Sequence, residues 1–510
     1  MTQSLKQIEL DLFHARPAYQ KIVSLIQEAH ENSATLDHLE RSLVSALMEL
    51  GCACLKDFVA AAGDGDCGEQ VVTTDDQIVR RSKQKCRRVY RSVYGNFNID
   101  RYVYSRRAKT KALFKPLDQK LGLPADEISY VLEDWLGNLS VDIPYDTVAK
   151  WLKETLGVQV QSSMAHRRIG KLGDYVEDFN EQREPVPLEN EQDILVAQAD
   201  GKGVPCRSSF EQRAHEELGV PLTRRPKPQK DYPKSKYCNV LGDCKTQRAI
   251  AGAFYSTPTN VRTAQDVLDG QSQVPLANKR LWAEMNLVGD EEVSRGAERV
   301  FQSLAAEYAQ RDPTGSKPLV CLMDGDRHLW SMQQEYLPNA IGVLDLFHVM
   351  QYLWLAAHCF HREASLEAED WVARHLKMLL ENKVDSVRGL IQRAINQGSF
   401  NKTKLKHLKK VHRYFTTNRE RMKYGDYLDA GYPIGSGVIE GACKHVIGDR
   451  MCGTGMRWEF EGAQPMLDLR VTKLNQQWKQ FINYRIQAEQ EMVTIQSSEV
   501  ASGIFGSFPV

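Results

Sequence analysis

The 510-residue sequence predicts a mixed α/β fold with an all-helical insertion, preceded by a helical and β-hairpin N-terminal region. Three observations predict it. Apolar runs of strand length stop at carboxylates in the middle of the chain: ILVAQADGKGV from Ile194, PLVCLMDGD from Pro318 and AIGVLDLFH from Ala340. Segments with helical periodicity, TAQDVLDG, EEVSRGAERVFQSLAAEYAQ and SMQQEYLP, alternate with them, which describes a mixed sheet flanked by helices. From Val349 to about Ala430 the pattern is helical throughout, too long for a loop in a compact domain, and so reads as an inserted helical subdomain.

Taken in order, residues 1 to about 60 read as amphipathic helices (IVSLIQEAH, LERSLVSALMELGCACLKDFVA). A glycine-rich break, AAGDGDCGEQ, precedes Cys86–Lys111, where β-rich residues flank a Gly-Asn pair as in a hairpin. PYDTVAKWLKETLGVQVQSSMAHRRIGKLG then fits a helix-turn-helix, with a turn at Gly157 and Ser162 or Ser163 as the cap of the second helix; a plain helical pair fits equally. Acidic, linker-like residues end this half near position 193. YCNVLGD and RAIAGAFYST read as two further strands between the first and fourth, and AQPMLDLRVTKLNQQWKQFINYRIQAEQEM as one long amphipathic helix. The expected division is 1–115 (helices and basic hairpin), 116–190 (helical, possible helix-turn-helix), 191–348 with 432–490 (catalytic core), 349–431 (insertion) and 491–510 (frayed tail).

Composition excludes several classes. With 42% hydrophobic and 26% charged residues the chain is ordinary globular material. Lys plus Arg and Asp plus Glu are 66 each, so no whole-molecule field draws it to nucleic acid or an anionic membrane, and any such attraction is local. No apolar run is long enough to span a bilayer, and the N-terminus lacks the apolar centre of a signal peptide. Eleven scattered cysteines suit reduced thiols in a cytosol better than a disulfide framework. Cys52, Cys54, Cys67 and Cys86 lack the paired CxxC spacing of a zinc ribbon and read more readily as ordinary thiols than as a metal site.

Asp200 and Asp324 each follow an apolar strand, and in open α/β sheets functional groups gather at carboxyl ends of strands. Taken singly, an Asp before a glycine usually starts a turn. Side by side, two carboxylates repel unless a cation bridges them or one binds a proton, and a few oxygen ligands suit magnesium. Glu440, in GSGVIEGACKHVIGD, is the candidate third ligand; Gly437 and Gly441 leave one flank of its helix bare, for close packing on a sheet or approach by a DNA backbone. Asp326 is the alternative second ligand. Asp345 and His348 read as groups supporting the ligands, as a weak metal pair or as a buried structural hydrogen bond.

Basic residues interleave with aromatics from Arg80 to Lys111, and recur in RRPKPQKDYPKSK from Arg224 and TKLKHLKKVHRYF from Thr403. Arg87, Arg88, Arg91, Arg167, Arg168, Lys444, Arg450, Arg457 and Trp458 are the candidate DNA contacts. For the hairpin the competing reading is a solvated basic face.

The segments ADGKGVP, LMDGDRHLW, LDLFHVMQYLWLAAHCFH and GYPIGSGVIEGACKHVIGDRMCGTGMRW resemble those of bacterial insertion-sequence transposases of the ISKra type. The resemblance, extended by GDGDCG and the hairpin after it, covers most of the chain. It implies a DDE transposase with a ribonuclease-H-like core, whose catalytic and metal-binding triad is Asp200, Asp324 and Glu440, using Mg²⁺ (or Mn²⁺), two ions expected. The Asp345–His348 pair is similar to the (Cys/Asp)-x-x-His element of Mutator-like transposases. Implied partners are double-stranded DNA, as terminal inverted repeats and target, and a second copy of the chain on DNA; the implied location is the bacterial cytoplasm, at the nucleoid. Rival readings are another metal-dependent nuclease, a DNA-binding regulator without catalysis and, less well matched to the basic patches, a glycoside hydrolase.

Overall fold

The computed structural model describes residues 12–72, 78–106, 112–207, 244–270, 274–286 and 295–498. They fall into two units: the residues up to Phe179 together with those from Gln477 onward, and Asn180–Gln476.

In the first unit, the helices Ala15–Glu31 and Leu36–Ala61 pack on each other. Buried Asp57 of the second accepts the backbone N–H groups of His14 (3.0 Å) and Ala15 (2.7 Å), satisfying donors that a helix start leaves orphaned. Strands β1 (Gln70–Val72), β2 (Ile78–Arg81) and β5 (Tyr104–Ser105) form a small sheet, and β3 (Cys86–Ser92) and β4 (Gly95–Arg101) form the hairpin. Its turn is Val93–Tyr94 rather than the expected Gly-Asn pair. Ser92 pairs directly with Gly95, which opens the return strand at φ +121°, a backbone angle that only glycine tolerates easily. The cysteines do not gather here: Cys52 packs beside the hairpin, whereas Cys67 belongs to the core of the small sheet.

Three helices, Tyr130–Ser140, Tyr145–Leu156 and Ser162–Gly173, enclose Leu132, Leu136, Val148, Leu152 and Ala165. Gly157, at φ +70°, ends the second helix as a left-handed cap. The expected serine cap is not used: Gln161 occupies the cap position without a side-chain bond, and the Ser162 hydroxyl binds Asp146 instead.

The long helix expected from Ala463 is two helices, Phe460–Leu474 and Trp478–Ser498. Asn475 caps the first, and its side chain accepts the Leu281 N–H (2.9 Å) and donates to the Leu281 carbonyl (3.0 Å). Gln476 then turns at φ +61°. A local helical pattern cannot register that tertiary lock. The second helix belongs to the first unit, where Trp478 Nε1 donates to Asp134 (2.6 Å). It stays helical to Ser498, past the expected start of a frayed tail.

The second unit is built on five strands: β6 (Ile194–Arg207), β7 (Cys244–Thr257), β8 (Ala277–Met285), β9 (Leu319–Met323) and β10 (Ile341–Leu344). Their order is β10-β9-β6-β7-β8; β6, β7 and β8 are antiparallel, and β9 and β10 run parallel to β6. The expected strand YCNVLGD lies outside the described residues. The third antiparallel strand is Ala277–Met285, which sequence reasoning missed, although Leu281, Ala283 and Met285 alternate inward.

The insertion follows β10 without a break, as the helices Leu346–Phe360, Leu366–Leu380, Val384–Gln397, Lys402–Thr417 and Tyr424–Asp429. Its apolar faces are continuous with those of the sheet: Val349, Leu353, Val411 and Phe415 share one core with Val320 and Val343. At its other side the unit buries an ionic network. Glu307 takes Arg183 (2.6 Å), Arg280 (3.0 Å) and Arg311 (2.6 Å), and Arg311 also meets Glu191 (3.1 Å). Among the described residues, no helix is long and apolar enough to cross a membrane.

Candidate functional site

Strand register sets out the site. β6 and β9 align Leu195 with Leu319, and Asp200 and Asp324 each lie five residues beyond that pair, so they stand level on neighbouring parallel strands. β10 aligns Leu344 with Met323, which places Asp345 level with Asp324 on the next strand, where its N–H donates to the Met323 carbonyl (2.8 Å). Three carboxylates thus form a row at one end of the sheet.

Glu440 approaches this row from the segment Gly437–Met451, an α-helix interrupted by a π-helical stretch at Cys443–Gly448. Two bonds seat it. The Ile439 N–H donates to Gln198 of β6 (3.0 Å) and the Ser436 N–H to Asp345 (2.7 Å). Glu440 then lies 4.0 Å from His348 Nδ1 and is about half exposed. Gly437 and Gly441 have open space where a Cβ would stand, so their flank is not packed on the sheet, one of the two expectations for it; it faces outward.

The carboxylates differ in state. Burial pushes Asp324 above its ordinary range, and the charges of Asp200 and Asp326 push it further. Burial also opposes ionisation of Asp326, but the Arg248 guanidinium (2.5 Å) and the His328 N–H outweigh it and hold Asp326 low. Asp326 is therefore committed, as the cap of the helix Arg327–Tyr336 and as the partner of Arg248. Gly201 makes room for that arginine, because a Cβ there would fall 2.1 Å from its Nε. Around Asp200 lie the buried Cys443 thiol, hydrogen-bonded to it, and the cations Lys202 and Arg248.

Asp345 is fully buried, with both oxygens occupied: one by Ser436, the other by the His348 N–H (2.9 Å) and His348 Nδ1 (2.7 Å). That bond raises the His348 pKa, with the charges of Asp345, Asp324 and Glu440 adding to it against burial. Asp345, His348 and Glu440 present donor atoms within 4.8 Å of one another. Asp345 has little left to offer an ion, and its geometry is that of a carboxylate orienting an imidazole. Among the described residues, Asp200 and Asp324 do not join Glu440 in a donor set that close; the expected triad is brought together only as far as two level strand ends and a helix seated beside them.

The nine candidate DNA contacts separate cleanly. Arg88, Arg168, Arg450 and Trp458 are structural. Arg88 binds Asp118 (2.8 Å), and Arg168 binds Glu133 (3.1 Å) and Asp126 (2.8 Å). Arg450 is buried with its guanidinium 5.0 Å over the Trp458 ring, and Trp458 extends the end of β6 by exchanging backbone bonds with Pro205 and Arg207. Arg87 and Arg91 form ion pairs with Asp100 and Glu127. Arg167, Lys444 and Arg457 are exposed. The Lys-rich segment from Arg224 lies outside the described residues. The sequence matches no known family model and no curated protein.

Sequence reasoning named the basic stretch from Thr403 but not its place. Its helix, Lys402–Thr417, carries Lys410 and Arg413 into a cleft of about 490 Å³ whose opposite wall is Asp324, Asp326 and His348. The only signal in the sequence was the i, i+3 spacing of the two cations.

Proposed function

We propose that this protein is a DNA transposase that cleaves strands at element ends and joins them to target DNA by transesterification. The observation that supports the reading is that Asp200 and Asp324 stand level on adjacent parallel strands while the helix of Glu440 is tied to Gln198 and Asp345, so that His348 feels the charges of both Asp324 and Glu440. The sheet, with β6 central between antiparallel and parallel neighbours, is compatible with the ribonuclease-H-like core that the resemblance implies.

Asp200 and Asp324 present oxygens able to hold two Mg²⁺ or Mn²⁺ ions, with Glu440 as the further ligand. When bound, such ions polarise the phosphodiester and stabilise the charge that develops on the attacking and leaving oxygens. The raised pKa of Asp324 supports this role, since burial and the charges of Asp200 and Asp326 penalise its charged form and a cation would offset that penalty. Asp324 serves better than Asp326, whose oxygens are already committed to a helix cap and an arginine. Asp345 fixes the His348 ring beside Glu440, limiting where the third carboxylate can sit. The nucleophile is a water or a DNA 3′-hydroxyl, so the chain need supply none. The helix pair Tyr145–Leu156 and Ser162–Gly173, with Arg167 exposed on the second, is the candidate reader of terminal repeats, and two copies of the chain would hold two ends.

The deciding experiment is a strand-transfer assay with labelled element ends and Mg²⁺ or Mn²⁺. Joined products that vanish in Asp200→Ala, Asp324→Ala and Glu440→Ala are expected. Cleavage without joining would make the protein a nuclease, and end binding without any cleavage a regulator.

A further inference from the structure

The cleft beside Asp324 has one acidic wall and one basic wall, and the basic wall belongs to the insertion. Lys410 and Arg413 lie one turn apart on the Lys402–Thr417 helix; both are exposed, and among the described residues neither pairs with a carboxylate. Lys410 sits 5.2 Å over the ring of Tyr352, which stacks on Tyr414 at 3.7 Å with the planes 6° apart. With Tyr414 and Lys410 both drawn on its ring, Tyr352 is better placed to hold the ammonium than to stack a base. Tyr352 lines the same cleft as Asp324 and Arg413, so both walls border one side chain.

The insertion is also seated directly on the carboxylate loop. Gly325, between Asp324 and Asp326, lies so near Tyr414 that a Cβ would fall 2.3 Å from its ring. The helix that carries the cations is therefore registered against the acid that would hold the metal.

We propose that Lys410 and Arg413 clamp a backbone phosphate of the DNA strand being cut, next to the bond held at Asp324, which makes the insertion the second wall of the catalytic cleft. Two cations that pair with no carboxylate among the described residues, facing an acidic wall, suit a phosphodiester between them: Lys410 and Arg413 would take its oxygens on one side, and the acids, with a divalent cation bound, would face it from the other. A cleft of about 490 Å³ has the size of a small-ligand site, which suits a short length of single strand and not a duplex. This inference rests on the transposase reading, and its test separates the two.

The test measures binding of the full-length chain to a short single-stranded DNA oligonucleotide in Ca²⁺ across a salt series, with cleavage of the same oligonucleotide followed in Mn²⁺. The variants are Lys410→Ala/Arg413→Ala and the charge-keeping Lys410→Arg/Arg413→Lys. Both positions are exposed, so the fold is expected to survive, as a thermal melt will check. The alanine pair is expected to lower the slope of log K against log salt by about 0.7, one phosphate contact on a single strand, and to slow cleavage, while the charge-keeping pair retains the slope. If the wild type cleaves and the alanine pair binds and cleaves as the wild type does, the clamp is overturned, while the strand cleavage that the transposase reading requires is retained and joining is left to the strand-transfer assay. If the wild type cleaves no DNA with any divalent ion, that reading falls and the clamp with it.

Discussion

Glu307 and Asp324 are acids of one unit, both largely withdrawn from water, yet they are treated in opposite ways. Burial penalises the charge of each. Around Glu307 the fold answers with Arg311, Arg280 and Arg183, and the carboxyl is held below its ordinary range. Around Asp324 it places further acids, Asp200 and Asp326, and the carboxyl is pushed up. A buried charge left unmatched costs several kcal/mol, so folds normally match it or leave it out. The first arrangement explains itself as architecture. The second penalises the charged carboxylate, and under the proposed function a bound cation would offset that penalty.

The largest expected effects split along that line. Asp324→Asn should abolish cleavage, a loss of about 10³-fold or more if the carboxylate contributes the several kcal/mol typical of metal-assisted charge stabilisation, and should leave the melting temperature unchanged or higher. Glu307→Ala should do the reverse: it strands buried arginines and costs about 3–5 kcal/mol, read from urea unfolding, without touching the carboxylate row. Should Asp324→Asn unfold the protein as Glu307→Ala does, the contrast is false and the row is structural.

The same two residues should respond to pH with opposite sign. Glu307 has a lowered pKa, so its stabilisation is present above the unfolded value near 4.5 and is lost as pH falls through the folded value. Asp324 has a raised pKa, so the fold favours its protonated form. Its contribution is best below the unfolded value near 3.8 and is lost as pH rises through the folded one. Thermal melts across pH should therefore show Glu307→Gln least harmful in acid, and Asp324→Asn most helpful near neutrality. Added Mg²⁺ should erase the second difference by stabilising only the wild type.

How far this was legible follows from how local each signal is. The strands ending at Asp200 and Asp324 announce themselves by apolar runs that stop at carboxylates, and the insertion by its length. Ala277–Met285 did not, because only half its residues are inward and Lys279 and Arg280 open it with charge. The break at Asn475–Gln476 depends on a bond to Leu281, nearly two hundred residues away, which no window detects. For the arginines, charge alone gave no guide. Neighbours Arg167 and Arg168 look identical in sequence, yet helical geometry turns Arg168 inward onto Glu133 and leaves Arg167 in solvent.

That pair gives a smaller, sharper contrast. Arg167→Ala should leave unfolding unchanged while reducing the salt slope of duplex binding by about 0.9, one phosphate contact. Arg168→Ala should cost about 1–3 kcal/mol of stability, since Glu133 loses one of its two buried arginines and keeps Arg485 (3.0 Å), and any loss of DNA binding should track the unfolded fraction. Binding measured at matched folded fractions distinguishes the two.

The smallest expected effect lies on the bare flank of the Glu440 helix. A Cβ at Gly441 meets nothing within 4 Å, so Gly441→Ala should stabilise the helix by about 0.5–1 kcal/mol. A gain that evolution could have taken and did not needs a reason. If a DNA backbone passes against this flank, next to the third carboxylate, the added methyl blocks it, and cleavage should slow although the protein melts higher. A variant that melts higher and cleaves at the wild-type rate would mean that the strand enters elsewhere, and the approach would then have to be sought from the Lys410 side alone.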